Sequence, residues 1–132
     1  MVELEDFQNK SYTALYQSFK VEQSPLYELR ISGYDTDYSS LQDSLSYHNN
    51  YAFSTKDRDN DARDENCATQ YLGAWWYRSC HYSNLNGYNY NSDNIRPIFA
   101  KGIIWKNEGN VADQGYYFSW PKVEMKIRQT GC

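Results

Sequence analysis

The residues best equipped for chemistry lie in one short acidic stretch, Asp57-Arg58-Asp59-Asn60-Asp61-Ala62-Arg63-Asp64-Glu65. Carboxylates at alternate positions repel one another unless a cation or water separates them. Hard oxygens at that spacing, completed by backbone carbonyls, suit Ca²⁺ at ~2.3–2.6 Å. An EF-hand loop is excluded: counted from Asp57, position six is Ala62 where Gly is required, and position twelve is Ala68 where Glu is required. A merely solvated acidic loop is the plain alternative. The stretch runs into Cys67, which with Cys80 encloses twelve residues. A disulfide there would contribute roughly 3 kcal/mol in the chain-entropy model and would place the chain in an oxidising compartment. A zinc site on Cys67, Cys80 and His81 is the rival, weakened because no CxxC or HxxxH accompanies it.

Other chemistries are poorly represented. There is no GxSxG, HExxH or phosphate-cradling Gly-rich loop, and neither histidine has an evident nucleophile beside it, so an enzyme is not expected. The net charge of −4, with no Lys/Arg cluster, argues against nucleic acid as a partner. Apolar runs fall far short of the ~20 residues that membrane insertion needs. Aromatics reach 17%, including 14 Tyr, which is too many for a disordered chain and suits half-wet strands and binding surfaces. Asn9-Lys10-Ser11 is a glycosylation sequon and agrees with secretion, whereas the acidic start, Met1-Val2-Glu3-Leu4-Glu5, does not resemble a signal peptide.

The elements that must hold these groups are short. In 11–21, Thr13, Leu15, Phe19 and Val21 share one parity and Tyr12, Ala14 and Tyr16 the other; Tyr27, Leu29 and Ile31 alternate with polar residues beyond a Pro25 turn. This predicts a hairpin. Tyr38, Leu41, Leu45 and His48 recur at helical spacing, predicting a short helix over 40–48. Residues 67–94, rich in Asn, Ser, Gly and Tyr, read as a long structured loop. The runs 102–105 and 116–120 are short and apolar, and Val123, Met125 and Ile127 alternate with charges as a half-buried strand. The fold class is α+β: an antiparallel central sheet, short helices and a loop-rich lobe. Trp75 and Trp76 are expected in the core under the loops, and His48 as a helix-end hydrogen bonder. His81 either orients a loop or faces a ligand.

A series of motifs then follows in order: Asp59-x-Asp61, Asn66-Cys67-Ala68, Gly73-Ala74-Trp75-Trp76-Tyr77, Ser79-Cys80-His81, Ser83-Asn84-Leu85-Asn86-Gly87 and Glu124-Met125-Lys126-Ile127-Arg128. With Leu4-Glu5-Asp6-Phe7, Asp43-Ser44-Leu45-Ser46-Tyr47-His48 and Phe53-Ser54-Thr55, the chain resembles the fibrinogen-like C-terminal domain of fibrinogens, ficolins and tachylectins over nearly its whole length. The resemblance implies a partial domain over 1–132 that lacks the N-terminal subdomain, with 1–53 and 121–128 forming the central sheet region and 54–120 the calcium- and ligand-binding lobe. It implies a Cys67–Cys80 disulfide, a cis peptide at Ser79–Cys80, and Ca²⁺ held by the side chains of Asp59 and Asp61 with the main-chain carbonyls of Arg63 and Glu65. Cys132 has no counterpart in the pattern and is expected to be free or to pair with another chain.

In lectin-like members an acetyl group enters a small pocket beside the cis bond. By position this chain offers Tyr71, Cys80, His81, Phe99, Ala100 and Tyr116, with Arg78 on the rim; aligning Tyr116 requires an insertion around 107–113. The implied function is a secreted, extracellular innate-immune lectin for acetylated glycans on microbial surfaces. The alternative is an angiopoietin-like or fibrinogen-type module binding a protein receptor or matrix partner. Self-association into a homo-oligomer is expected if a sheet edge or face is left bare.

Overall fold

The computed structural model describes residues 1–106 and 115–131. Cys132 and the insertion around 107–113 lie outside the described residues. Strand β1 (Val2–Glu5) sits between β2 (Ser11–Ala14) and β7 (Lys122–Met125), antiparallel to both, so the beginning and end of the chain share one sheet. Register sets Leu4 opposite Tyr12 and Val123, and Val2 opposite Ala14 and Met125. Val2, Leu4 and Ala14 are thereby buried on one face. On the other face Lys126 pairs with Glu3 at 3.2 Å and Lys122 with Glu5. The β1–β2 turn closes on Asp6, whose Oδ1 accepts the N–H groups of Gln8 and Lys10, and it carries exposed Asn9 at φ 62°.

The alternating stretch 11–21 breaks at Leu15 into two strands. Its second half, β3 (Tyr16–Val21), pairs with β4 (Leu29–Tyr34), with Phe19 opposite Ile31 and Val21 opposite Leu29. The break follows from what binds there: the Ser40 hydroxyl accepts from Thr13 N, the Ser39 hydroxyl accepts from Leu15 N, and Thr13 O accepts from the N–H groups of Ser40 and Leu41. Those bonds also correct the expected helix over 40–48. With the amides of Ser40 and Leu41 engaged by β2, and those of Leu45 and Ser46 by Asp43 Oδ1, only a 3₁₀ turn at Ser46–His48 forms.

Two further expectations are corrected. The loop region 67–94 contains helix α1 (Cys67–Tyr71) and strand β5 (Ser83–Asn84), the latter paired with β6 (Ile104–Trp105). The Asn66 side chain caps α1 by accepting from Thr69 N at 2.9 Å, and Leu72, at φ 60°, ends it. The strand expected through Ile127 stops at Met125. Met125 and Ile127 stand exposed and Val123 alone of the three packs inward. The core gathers Trp75, Trp105, Trp120 and Tyr77 around Leu4, Leu29, Leu41 and Leu45. The Trp76 indole donates to Tyr27 O and that of Trp105 to Gln42 O, both at 2.8 Å, so two large rings are buried without stranding their N–H groups.

Candidate ligand cleft and cation loop

The acidic stretch is folded by its own side chains. Asn60 N donates to the Ser54 hydroxyl and its amide nitrogen to Phe53 O, while Ala62 N donates to Arg78 O. Asp59 Oδ1 accepts from Asp61 N at 3.2 Å, and the two oxygens of Asp61 accept from Arg63 N and Cys67 N at 2.9 Å. Asp61 therefore ties the loop to the start of α1, where Cys67 is bonded to Cys80 with the two Cα atoms 5.6 Å apart. The disulfide removes both sulfurs from any zinc set. Burial, together with the neighbouring Asp59 carboxyl, pushes Asp61 above the usual carboxylate range.

That pair tests whether a cation fits. Among the described residues no three His, Cys, Asp or Glu side chains converge as a metal set. What the loop brings together is two carboxylates whose mutual repulsion a divalent ion would relieve, in a backbone-rich turn able to add carbonyl oxygens. This is a hard-oxygen set of the kind Ca²⁺ takes. Asp57 turns away to the Thr55 hydroxyl at 2.7 Å and is not part of it.

Beside the disulfide lies a cleft of about 150 Å³ lined by Arg63, Tyr71, Ser79, Cys80, His81, Tyr82, Phe99, Ala100 and Tyr116. The Ser79–Cys80 peptide bond on its wall is cis. Its aromatic rings meet edge to face: Tyr71 and His81 at 4.9 Å, His81 and Tyr116 at 5.7 Å, Phe99 and Tyr116 at 5.1 Å. His81 Nε2 donates to Ala100 O, Ala100 N donates to Tyr116 O, and the Tyr116 hydroxyl donates to His81 O, at 2.9, 2.7 and 3.0 Å. Three segments distant in sequence are thus closed into one wall. Burial pushes the His81 imidazole down to about 4, against the opposing bond to Ala100 O, so the ring is neutral at pH 7.

Six of the residues named from sequence, Tyr71, Cys80, His81, Phe99, Ala100 and Tyr116, line this cleft. Arg78 lies outside its lining: the guanidinium stands over the rings of Tyr47 and Tyr51, at 4.9 and 5.4 Å. Sequence reasoning missed Ser79, Tyr82 and the Arg63 side chain as wall residues. Tyr82 stacks on Tyr47 at 3.9 Å, a pairing across thirty-five positions with no local signal. His48 holds the rear of the lobe, donating from Nδ1 to Trp76 O and accepting at Nε2 from Tyr82 N and Ser83 N. Burial drives its imidazole down to about 3.

The chain is similar to known proteins over nearly its whole length. The family described as the C-terminal globular domain of fibrinogen beta and gamma chains matches residues 1–130. Tenascin-R of Rattus norvegicus is 45% identical across 96% of this chain, which covers 8% of that protein. Techylectin-5A of Tachypleus tridentatus is 42% identical across 96% of this chain, covering 40% of that protein. The fibrinogen-like globe domain of human ANGPTL2 superposes with a TM-score of 0.80 at 35% identity, over 92% of this chain and 53% of that one. The chain thus spans about half or less of the length of these relatives.

Proposed function

This chain belongs to the fibrinogen C-terminal globular domain family, and from that premise we propose that it is an extracellular lectin-type recognition module that binds acetylated glycans, with a calcium ion supporting the loop beside its cleft. The observation that carries the reading is the cleft itself: about 150 Å³, walled by Tyr71, His81, Phe99 and Tyr116 beside the Ser79–Cys80 bond. That volume suits a methyl and a carbonyl, not a whole sugar ring buried on all sides. The rings offer apolar surface to the methyl, and the backbone N–H groups of Cys80 and His81 offer donors to the acetyl oxygen. His81 is held neutral and fixed by Ala100, so it contributes shape and not charge.

Asp59 and Asp61, with the carbonyls of Arg63 and Glu65, would hold calcium, which when bound supplies charge compensation for the paired carboxylates. The loop's own bonds pass from Asp61 to Cys67 N and from Ala62 N to Arg78 O, linking it to both sides of the disulfide. The disulfide supports an oxidising, extracellular setting, and among the described residues no helix is long and apolar enough to cross a membrane. The name of Techylectin-5A, a relative at 42% identity, supports the lectin reading.

A second reading rests on one feature. Phe99 of the cleft wall meets Tyr117 at 5.3 Å, and Tyr117 lines a neighbouring hollow with Ile95; all three are exposed, an apolar rim that suits a protein receptor or matrix partner. Retention on immobilised N-acetylglucosamine in calcium, with elution by free acetate and not by glucosamine, decides between them. No retention on any acetylated resin would discard the lectin reading and leave the rim as the recognition surface.

A further inference from the structure

The sheet that joins the two ends of the chain finishes on β7, whose neighbour among the described residues is β1. Their ladder runs on into a mutual pair: Lys126 N donates to Met1 O and Met1 N to Lys126 O, each at 2.8 Å. Bonded and non-bonded pairs alternate along an antiparallel ladder, so Lys122, Glu124 and Lys126 turn their backbone groups toward β1. Those of Val123 and Met125 face the outer edge, where they have no hydrogen-bond partner among the described residues. The side chains divide in the same way. Lys122, Glu124 and Lys126 share the polar face with Glu5 and Glu3, and Lys126 also meets Glu124 at 3.1 Å. Met125 and Ile127 fall on the core face, yet they are 37% and 74% exposed. Both line a hollow there with Val2, Phe19, Ile31 and Leu45.

We propose that two copies of this chain associate through β7, each outer edge pairing antiparallel with the other about a two-fold axis at Met125. The charges choose that register. It sets Glu124 opposite Lys126 of the second copy, and Lys126 opposite its Glu124, so the contact holds two opposite-charge pairs. On the other face Met125 meets its own counterpart and Val123 meets Ile127, which covers the exposed apolar side chains beside the hollow. Other centres fail. Glu124 has its backbone groups bonded to β1 and would face itself. Centring on Val123 places Pro121, which has no N–H, opposite Met125. Centring on Ile127 forms no opposite-charge pair and sets Lys126 against Arg128. Edge strands are kept apart by like charge or by a proline within them; β7 has its proline just outside and charges of alternating sign. The pairing spans 123–127, so the dimer is small and concentration-dependent. It is independent of what the cleft binds.

Sedimentation velocity on the intact chain carrying Cys132→Ser, which removes the terminal thiol as a cross-link, tests this from about 1 μM to about 1 mM. The sedimentation coefficient should rise toward that of a dimer, and amide exchange at Val123 and Met125 should slow with it. Glu124→Lys and Lys126→Glu should each weaken association about tenfold, because each turns both pairs into like-charge pairs. An equimolar mixture of the two variants should recover it, since both pairs are then of opposite charge. Met125→Pro, which removes the outward N–H and leaves the bonds to β1, should abolish it. A chain that stays monomeric throughout leaves the edge to a strand of another protein and overturns the inference. A dimer whose Val123 and Met125 amides exchange as fast as in the monomer, or that survives Met125→Pro and both charge variants, overturns it as well.

Discussion

His81 Nε2 donates to the carbonyl of Ala100 at 2.9 Å, and Ala100 is held in the left-handed region at φ 60°. The bond joins the disulfide segment to the segment before β6 and makes the imidazole part of the cleft wall. It also settles the proton: Nε2 carries it, leaving Nδ1 as a buried acceptor without a partner among the described residues. A second proton on that ring would be buried without compensation.

Stability should therefore fall on acidification. The imidazoles of His81 and His48 sit at about 4 and about 3 in the folded chain, against ~6.5 unfolded. Between these values the unfolded state binds the proton and the folded state does not, so stability present above pH 6.5 is lost as pH falls. From pH 6.5 to 5 each histidine accounts for about 2 kcal/mol. Asp61, raised in the fold, works in the opposite direction. Urea midpoints at pH 7 and pH 5 measure the balance, and a midpoint unchanged or higher at pH 5 would refute the assignment of both rings.

Calcium should raise the melting temperature, and Asp59→Ala should remove that rise. Calcium at a hundred times its dissociation constant adds about 2.7 kcal/mol to the folded state. Asp61→Ala should cost about 1–3 kcal/mol even without calcium, since it strands the N–H groups of Arg63 and Cys67. Thermal melts with calcium and with a chelator separate the two effects. A calcium shift that survives in Asp59→Ala places the ion elsewhere.

Tyr71→Ala should weaken binding of an acetylated ligand roughly tenfold, about 1.4 kcal/mol, by removing one aromatic wall. The fold should hold, because the Tyr71 group that binds Asn84 is its backbone carbonyl. Titration calorimetry against N-acetylglucosamine reports the affinity, and an unchanged dissociation constant would move the acetyl site away from this ring.

Gly87→Ala should destabilise by about 3 kcal/mol or prevent folding. A Cβ there would come within 1.9 Å of Gly102 O, a backbone atom that cannot swing aside. Tyr88 N donates to Lys101 O beside this contact, so the cleft's supporting segment would shift as well. A denaturation midpoint equal to that of the unaltered chain would show that the two segments do not approach so closely.

Where sequence pattern succeeded, the cause was local. The hairpin alternation that puts Leu29 and Ile31 inward is a period-two signal within a few residues, and the structure keeps it. The helix over 40–48 had an equally clear spacing, but Ser40 and Leu41 bond to β2, a competitor that no periodicity records. Asn66 ahead of Cys67 was a cap signal for α1, hidden within a stretch whose composition reads as loop. The wall residues divide in the same way. Tyr71, His81 and Tyr116 came from motif resemblance, whereas Tyr82 and the Arg63 side chain entered the cleft through contacts made at long range.

By itself the sequence determined the family, through closely spaced motifs that need no knowledge of distant contacts, and it named the acids and aromatics available for binding. Tertiary structure alone decided where their charges act. Arg63 sits in an acidic stretch and reads as one more surface charge. Only folding lays its guanidinium against Cys80 and brings Lys106 over the rings of Tyr82 and Tyr116. Side-chain contacts depend on distance through space, and residues 63, 82 and 116 line one cleft only when the disulfide segment and the β5–β6 pair close around it.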